Sequence, residues 1–216
     1  MANPDWFHND PKLAWAFYGH RLNLYRSTTP HIGFSQIIEQ AKQKKSGYFV
    51  FTSNVDGQFQ KSGFADDRIE ECHGSIHHLQ CCRPCSEKIW SAEETDIMID
   101  SDKFEAIEPL PQCPNCGALA RPNILMFGDW GWISHRTNSQ GKRLSQWLNK
   151  LEKDQANLVV IEIGAGNAVP TVRHLSENVA TKMAAKLIRI NPRDFQVPGD
   201  HISIPENAAK GINQIF

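Results

Sequence analysis

The 216-residue sequence lacks a charge excess of either sign and lacks a long hydrophobic run, and each absence excludes a class of protein. Lys and Arg number 23 against 24 Asp and Glu, so the formal net charge is −1. Nucleic acids and anionic membranes require a basic surface. No run approaches the roughly 18 apolar residues of a transmembrane helix, and the polar start MANPDWFHNDPK does not resemble a secretory signal. We therefore expect no nucleic-acid partner and no membrane association.

Cysteine is scarce and unevenly placed. The six cysteines crowd into about one fifth of the chain: Cys72, Cys81, Cys82, Cys85, Cys113 and Cys116. Disulfide frameworks are typical of small secreted domains, whereas close cysteine pairs in a reducing compartment are typical of metal sites. This distribution predicts a cytoplasmic protein with a bound metal.

Two close cysteine pairs predict one zinc site. Cys113 and Cys116 form a CxxC pair followed by a glycine, which lets the backbone fold around the two sulfurs. The segment Cys81-Cys82-Arg-Pro-Cys85 supplies the second pair, and its CxxC spacing favours Cys82 as the partner of Cys85. Four thiolates make a closed, structural site, in a small inserted module over residues 81–118. The alternative is four cysteines without metal; the adjacent histidines at 77 and 78 are expected to be strand residues.

Short apolar runs alternate with helical patterns along the rest of the chain. Strands are predicted at 48–52, 124–127, 158–164 and 186–190; helices are predicted from Pro11, from Pro30 with Thr29 as N-cap, over about 140–153, and from Pro170 to about Ala180. This alternation predicts an α/β fold with a parallel sheet.

Several motifs in a fixed order carry a resemblance to a known family. They are TSNVDG at 52–57, ECHGS at 71–75, the four cysteines, RPNILMFGD at 121–129, GAGN at 164–167, and Ile190-Asn191. In this order the sequence resembles the sirtuins of a bacterial branch, from about Asp10 onward. The resemblance implies a Rossmann-like, doubly wound parallel sheet over residues 1–216, with a small inserted zinc-binding module. It also favours Cys81 over Cys82 as a ligand.

The resemblance implies an enzyme that uses NAD to deacylate lysine in a protein or peptide, with nicotinamide and O-acyl-ADP-ribose as products. His73 would be the general base, because imidazole titrates near working pH. The same resemblance implies that Asn54 and Asp56 would hold the nicotinamide ribose side of NAD, and that its phosphate and adenosine side would be bound by Gly164, Gly166 and Asn191. The acyl-lysine substrate would be bound by Phe127 and Gly128. The zinc would be held by Cys81, Cys85, Cys113 and Cys116.

The sequence also departs from the family pattern. Ser53 replaces a glutamine, Ala165-Gly166 replaces a Thr-Ser pair, and Asp129 replaces a glutamate. The family's first strand and its G-A-G phosphate loop have no counterpart, so we expect about 50 upstream residues to be missing.

Three alternative functions follow from these observations. One is an NAD hydrolase or ADP-ribosyltransferase on the same scaffold. Another is a truncated, non-catalytic zinc-containing binding module. A zinc-ribbon nucleic-acid protein is disfavoured by the net charge of −1. Trp130 and Trp132, beside the expected substrate edge, are predicted to be packing or surface aromatics.

Overall fold

The computed structural model describes residues 2–216, which divide between two units. The first unit holds the residues up to Thr29, Thr52–Lys61 and Glu71–Gly141. The second holds Pro30–Phe51, Ser62–Glu70 and Lys142–Phe216. Within the described residues, no helix has the length and apolar character needed to cross a membrane.

Helices and strands intermix along the chain, with six successive strands between residues 69 and 124. The helices are α1 (Trp6–Asn9), α2 (Pro11–Ser27), α3 (Ile32–Lys42), α4 (Gln58–Lys61), α5 (His135–Lys153), α6 (Thr171–Lys182) and α7 (Ala208–Asn213), with a 3₁₀ turn at Asp66–Arg68. The strands are β1 (Val50–Thr52), β2 (Ile69–Glu71), β3 (Gly74–Cys81), β4 (Ile89–Ser91), β5 (Ile99–Asp100), β6 (Glu105–Ala106), β7 (Ala120–Ile124), β8 (Val159–Ile163), β9 (Lys186–Ile190) and β10 (Ile202–Ile204). Strands β1 and β2 pair with each other.

The first unit is built on an antiparallel sheet of order β4-β3-β7, with a separate β5–β6 hairpin. Helix α2 begins at Pro11, as predicted, and the Asp10 carboxylate caps it by accepting from the Leu13 N–H. Its fully buried Trp15 packs edge-on against Phe7 and donates its indole N–H to the Ala120 carbonyl of β7 at 3.0 Å. The hydrophobic core of this unit therefore lies between α2 and the sheet.

The second unit contains a parallel sheet of order β10-β9-β8. Ile161 of β8 pairs with Ile188 of β9, and both belong to an apolar cluster with Ile37 of α3 and Ile212 of α7. The alternating residues of these strands point to the opposite face. Helices α3 and α7 therefore cover one face of the sheet.

The other face of the parallel sheet carries a buried ion-pair network with α6. Glu162 of β8 and Arg189 of β9 are both almost fully buried and form a salt bridge at 2.5 Å. Arg189 also binds Glu177 of α6 at 2.7 Å, and Ser176 of α6 hydrogen-bonds Glu162. Helices therefore cover both faces of a parallel sheet, and the predicted doubly wound α/β class is confirmed.

Two predicted element boundaries are wrong for identifiable reasons. The strand placed at 124–127 lies at Ala120–Ile124, because the buried polar side chains of that strand are hydrogen-bonded and therefore need not be apolar. The predicted cap at Thr29 is replaced by His31, whose imidazole accepts from the Gly33 N–H, so α3 begins at Ile32. The predicted module boundary at 81–118 and the predicted missing front stay predictions.

Candidate functional site

Four cysteine sulfurs converge in the first unit. The Sγ atoms of Cys81, Cys85, Cys113 and Cys116 all lie within 4.8 Å of one another. The Cys81–Cys116 and Cys85–Cys113 separations are 3.7 and 3.6 Å. A disulfide would require about 2.0 Å, whereas a tetrahedral zinc with bonds of about 2.3 Å separates its sulfurs by about 3.8 Å. The cluster therefore fits a four-thiolate zinc site.

The chain around the four sulfurs explains this arrangement. After Cys113 and Cys116 the backbone turns through Gly117, whose φ of +71° is a conformation that favours glycine. The Gly117 N–H closes the turn on the Cys113 carbonyl. The Asn115 amide donates to Cys85 Sγ at 3.3 Å, and this hydrogen bond lowers the pKa of the thiol to about 6.

Cys82, the ligand that spacing alone favoured, lies outside the cluster. Its N–H donates to the Leu119 carbonyl, and its side chain packs against the hydrophobic core of the unit. Burial raises the pKa of its thiol to about 12, so the thiol stays protonated. The cysteine before it, Cys81, ends β3 with its sulfur in the cluster.

His73 lies in the two-residue turn between β2 and β3, and neighbouring elements hold this turn. The Cys72 N–H donates to the Thr52 carbonyl of β1, and the His73 carbonyl accepts from the Leu125 N–H at 2.9 Å. Gly74 follows with a φ of +78°. The turn is therefore fixed by backbone contacts on both sides of the histidine.

The His73 imidazole is half-buried. Burial lowers its pKa below the ordinary histidine value of 6.5, and a smaller contribution from the Ser53 backbone opposes this effect. The shift favours the neutral ring, and one nitrogen of a neutral imidazole can accept a proton.

Replacing Gly74 with alanine is expected to destabilise the protein severely, because the new Cβ would lie 2.0 Å from the Asn123 carbonyl oxygen at a positive φ. Left-handed backbone alone costs an alanine about 1–2 kcal/mol. Gly63→Ala is the matched control, since Gly63 has a φ of +86° but no atom within 4 Å of its Cβ position. Urea unfolding should show a clearly larger loss for Gly74→Ala; equal losses would contradict the backbone contact.

The loop carrying Asn54 and Asp56 lies against β3 in the same unit. The Val55 carbonyl accepts from the Ile76 N–H, and the Asp56 carbonyl contacts His77 Nε2 at 2.9 Å. The Asp56 carboxylate accepts from the Gln58 N–H at 3.0 Å, which begins α4. Asn54 is exposed. The predicted residues of this loop therefore lie on a fixed turn beside the strand that follows His73.

The predicted substrate edge at Phe127 and Gly128 is exposed, with Phe127 at 73%. The next residue, Asp129, anchors it by two hydrogen bonds to the buried Arg121 guanidinium, at 2.8 and 2.7 Å. Trp130 is 99% exposed, as expected for a surface aromatic. The side chain of Phe127 is therefore exposed, whereas the backbone of the edge has partners: the Phe127 N–H donates to the Ala2 carbonyl at 2.9 Å, and the Gly128 carbonyl accepts from the Trp130 N–H at 3.1 Å.

Gly164, Gly166 and Asn191 lie in the second unit, after strands β8 and β9. Gly164 has a φ of +71°, and its N–H donates to the Ile190 carbonyl. Asn191 is buried, donates its amide to the Ala165 carbonyl at 2.9 Å, and accepts from the N–H groups of residues 193 and 194. It therefore binds two loops together.

Sequence reasoning missed Arg173 and Asp194 in this unit. The Arg173 guanidinium donates to the carbonyls of Ala165 and Asp194, and the Asp194 carboxylate accepts from Asn167. Arg173 is only 8% exposed, although an arginine in an amphipathic helix usually faces solvent. The hydrophobic pattern of the sequence therefore did not indicate that this side chain is buried. The missed residues of the first unit are Arg136, Thr137 and Gln140 of α5, which all bind Glu71.

Comparisons with known proteins agree with the motif order. A sequence model of the Sir2 family matches residues 1–166. The NAD-dependent protein deacylase of Aquifex aeolicus is 24% identical over 221 residues, which covers 100% of this chain and 80% of that protein. The NAD-dependent protein deacylase of Pyrococcus abyssi is 31% identical over 133 residues, covering 60% of this chain and 48% of that protein.

The fold also matches solved structures. A sirtuin structure solved to study substrate affinity aligns with a TM-score of 0.65 at 19% identity, covering 98% of this chain and 78% of that one. At this identity the likeness establishes the fold alone. It agrees with a parallel sheet covered by helices on both faces and with a four-cysteine cluster in the other unit.

Proposed function

This chain belongs to the Sir2 family, as its motif order predicted, and we propose that it removes acyl groups from lysine side chains of proteins with NAD as co-substrate. NAD is consumed, and the products are nicotinamide, O-acyl-ADP-ribose and the free lysine. The observation that carries this proposal is the half-buried His73 imidazole, whose pKa is lowered by burial and which lies on a turn held by the backbone hydrogen bonds of Cys72 and His73. We place the enzyme in the cytoplasm, where a reducing environment keeps metal-binding thiols free.

His73 acts as the general base in this proposal. Its free ring nitrogen accepts a proton from a ribose hydroxyl as that hydroxyl attacks the intermediate formed from the acyl group and NAD. A base must be unprotonated to do this, and the lowered pKa of His73 keeps it unprotonated near pH 7. The backbone hydrogen bonds of Cys72 and His73 hold the turn that carries the ring.

We assign the remaining predicted residues by the same proposal. Asn54 and Asp56 hold the nicotinamide ribose, and their loop lies on β3 just after His73. Gly164, Gly166 and Asn191 bind the phosphate and adenosine side of NAD. Support for Gly164 and Gly166 comes from their lack of side chains, which lets backbone N–H groups approach a phosphate. Asn191 contributes through the loops that it joins, because both atoms of its amide already have partners.

The acyl-lysine substrate is proposed to bind at Phe127 and Gly128. An extended peptide can add to a backbone edge by main-chain hydrogen bonds, which read little of the peptide sequence. To bond the Phe127 N–H, the peptide takes the place of the Ala2 carbonyl that accepts from it in the structure. The Asp129–Arg121 pair keeps that edge in place. Recognition then depends mainly on the acylated lysine.

The zinc implied by the four cysteines is structural. Cys81, Cys85, Cys113 and Cys116 would hold it, and four thiolates leave no position for water or substrate. When bound, zinc supplies a crosslink between the end of β3 and the loop before β7. No proton or acyl transfer depends on it.

Nicotinamide release measured with and without an acetyl-lysine peptide tests the proposed function. We expect release to require the peptide and to match the appearance of O-acetyl-ADP-ribose one for one. Release without peptide would instead favour an NAD hydrolase on the same scaffold. An absence of both NAD binding and turnover in zinc-replete protein would favour a non-catalytic binding module and overturn the proposal.

A further inference from the structure

Glu71, two residues before His73, is bound by the first turns of α5 through its N–H, its carbonyl and one carboxylate oxygen. Its N–H donates to the Gln140 side-chain oxygen at 3.1 Å, and its carbonyl accepts from the Thr137 hydroxyl at 3.2 Å. Its carboxylate pairs with Arg136 at 2.5 Å and also accepts from the Gln140 amide at 3.4 Å. Three side chains of one helix thus hydrogen-bond to a single residue. We call these three residues, Arg136, Thr137 and Gln140, the α5 clamp.

The charge of Glu71 costs free energy where it lies. Its side chain is 1% exposed, and Thr137 and Gln140 are 7% and 4% exposed. A buried ion pair is often no more stabilising than well-packed apolar residues of similar size, because both charges must leave water. Stability alone is therefore a poor reason for a carboxylate here. What the clamp adds over an apolar contact is direction, since it fixes both backbone groups and the side chain of Glu71.

The α5 clamp is one of several restraints on the turn that carries His73. Strand β1 holds Cys72 through the Thr52 carbonyl, and β7 holds His73 through the Leu125 N–H. The backbone that enters the turn from β2 is restrained by the pairing of β2 with β1 and, on its other side, by the contacts of α5 with Glu71. One residue, Cys72, separates Glu71 from the base.

We propose that Arg136, Thr137 and Gln140 are positioning residues that hold His73 in place for proton transfer by fixing Glu71. This proposal rests on the proposed deacylase function. Without the clamp, the β2 backbone loses its restraint on the side of α5, and the turn that carries the imidazole can shift. Because proton transfer depends steeply on distance and direction, a displacement on the order of 1 Å is enough to slow it.

The test compares variants that keep or remove individual hydrogen-bonding groups of the α5 clamp. Thr137→Val removes the hydroxyl that binds the Glu71 carbonyl and keeps the side-chain shape, whereas Thr137→Ser keeps the hydroxyl. Arg136→Gln is combined with Thr137→Val for the larger effect. Asn138→Ala on the same helix is the control, because Asn138 is exposed and bonds only Ser134 in the preceding turn.

We expect kcat for deacylation to fall by about tenfold to a hundredfold in the double variant, with KM for NAD and for the peptide changed less than about twofold. Thr137→Ser and Asn138→Ala should retain wild-type kcat. Exchange of labelled nicotinamide into NAD, which precedes the step that uses the base, should persist in the double variant. Loss of exchange and deacylation together, or a kcat unchanged in the double variant, would overturn the positioning role.

The pH profile separates positioning from a general weakening of the fold. Burial is the larger influence on the pKa of His73 and lowers it, so a turn that shifts toward solvent raises that pKa. The acid limb of kcat/KM should therefore move to higher pH in the double variant. A structural effect alone would reduce the amplitude and leave the limb in place. Wild-type turnover in the same assay tests the proposed function independently: if the wild type is inactive, that function fails. With an active wild type, the clamp fails if the double variant behaves like the wild type or if it loses nicotinamide exchange together with deacylation.

Discussion

Replacing His73 with alanine is expected to abolish deacylation of an acetyl-lysine peptide while leaving the fold intact. The loss should be on the order of 10²-fold or more, which is the usual contribution of a general base. Stability should change little, because the turn is held by the backbone of Cys72 and His73 rather than by the imidazole alone. Product formation by mass spectrometry and thermal unfolding of the same samples measure the two effects.

Two further variants make the His73 result specific. His73→Gln keeps a polar side chain of similar length but cannot accept and return a proton, so it should be as inactive as the alanine variant. His174→Ala removes an exposed histidine of α6 and should retain full activity. Near-wild-type turnover in His73→Gln would remove the base from the mechanism, and a collapse of the melting temperature in His73→Ala would assign this histidine to stability.

The pH dependence of the wild-type enzyme follows from the same histidine. Burial places the pKa of His73 below 6.5, and the base works only when unprotonated. Activity should therefore be present at neutral pH and be lost as pH falls through a value below 6.5. A limb above 6.5 would indicate that another group, or a more solvated histidine, limits the reaction.

The sequence predicted the parts of the fold whose pattern is apolar and local. The strand at 186–190 and the helix following Pro170 lie where hydrophobicity and proline placed them. Strand β3 was not delimited, because its residues GSIHHLQC are half polar. Gln80 is fully buried there, and its polarity is satisfied by Asn123 and by the backbone of residues 131 and 133. Partners distant in sequence, which no local pattern shows, make such a strand stable.

The same limit applies to the site. The motif order identified the turn that carries His73, and the cysteine pairs identified the metal cluster. The helix start at His135, with Arg136 and Thr137 in its first turn, was placed at about 140, because the polar run 134–139 has no apolar periodicity. The contacts of these side chains with Glu71 span 65 residues or more of sequence. Only the folded chain brings the clamp to the turn.

Cys81 and Cys82 are adjacent in sequence but differ in environment, so replacing each with alanine gives a sharp test of the metal site. Wild-type protein purified under reducing conditions should carry about one zinc per chain. Cys81→Ala removes one of four converging sulfurs and should lose most of the zinc and much of the stability, because binding of a structural zinc contributes directly to folding. Cys82→Ala should keep the zinc, since this thiol packs against the core and remains protonated.

The decrease in the free energy of unfolding distinguishes loss of the metal from loss of packing in these two variants. Cys82→Ala deletes one partly buried sulfur and should lower the free energy of unfolding by only about 1 kcal/mol. Cys81→Ala, like Cys113→Ser, should lower it by several times that amount, and added zinc should not restore it. Elemental analysis and urea unfolding of both variants decide the ligand set.

Zinc retained by Cys81→Ala and lost by Cys82→Ala would exchange the two roles, whereas no zinc in fresh wild-type protein would remove the site. The expected result follows from geometry, because only the Cys81 sulfur lies 3.7 Å from Cys116, at the spacing that a tetrahedral ion requires.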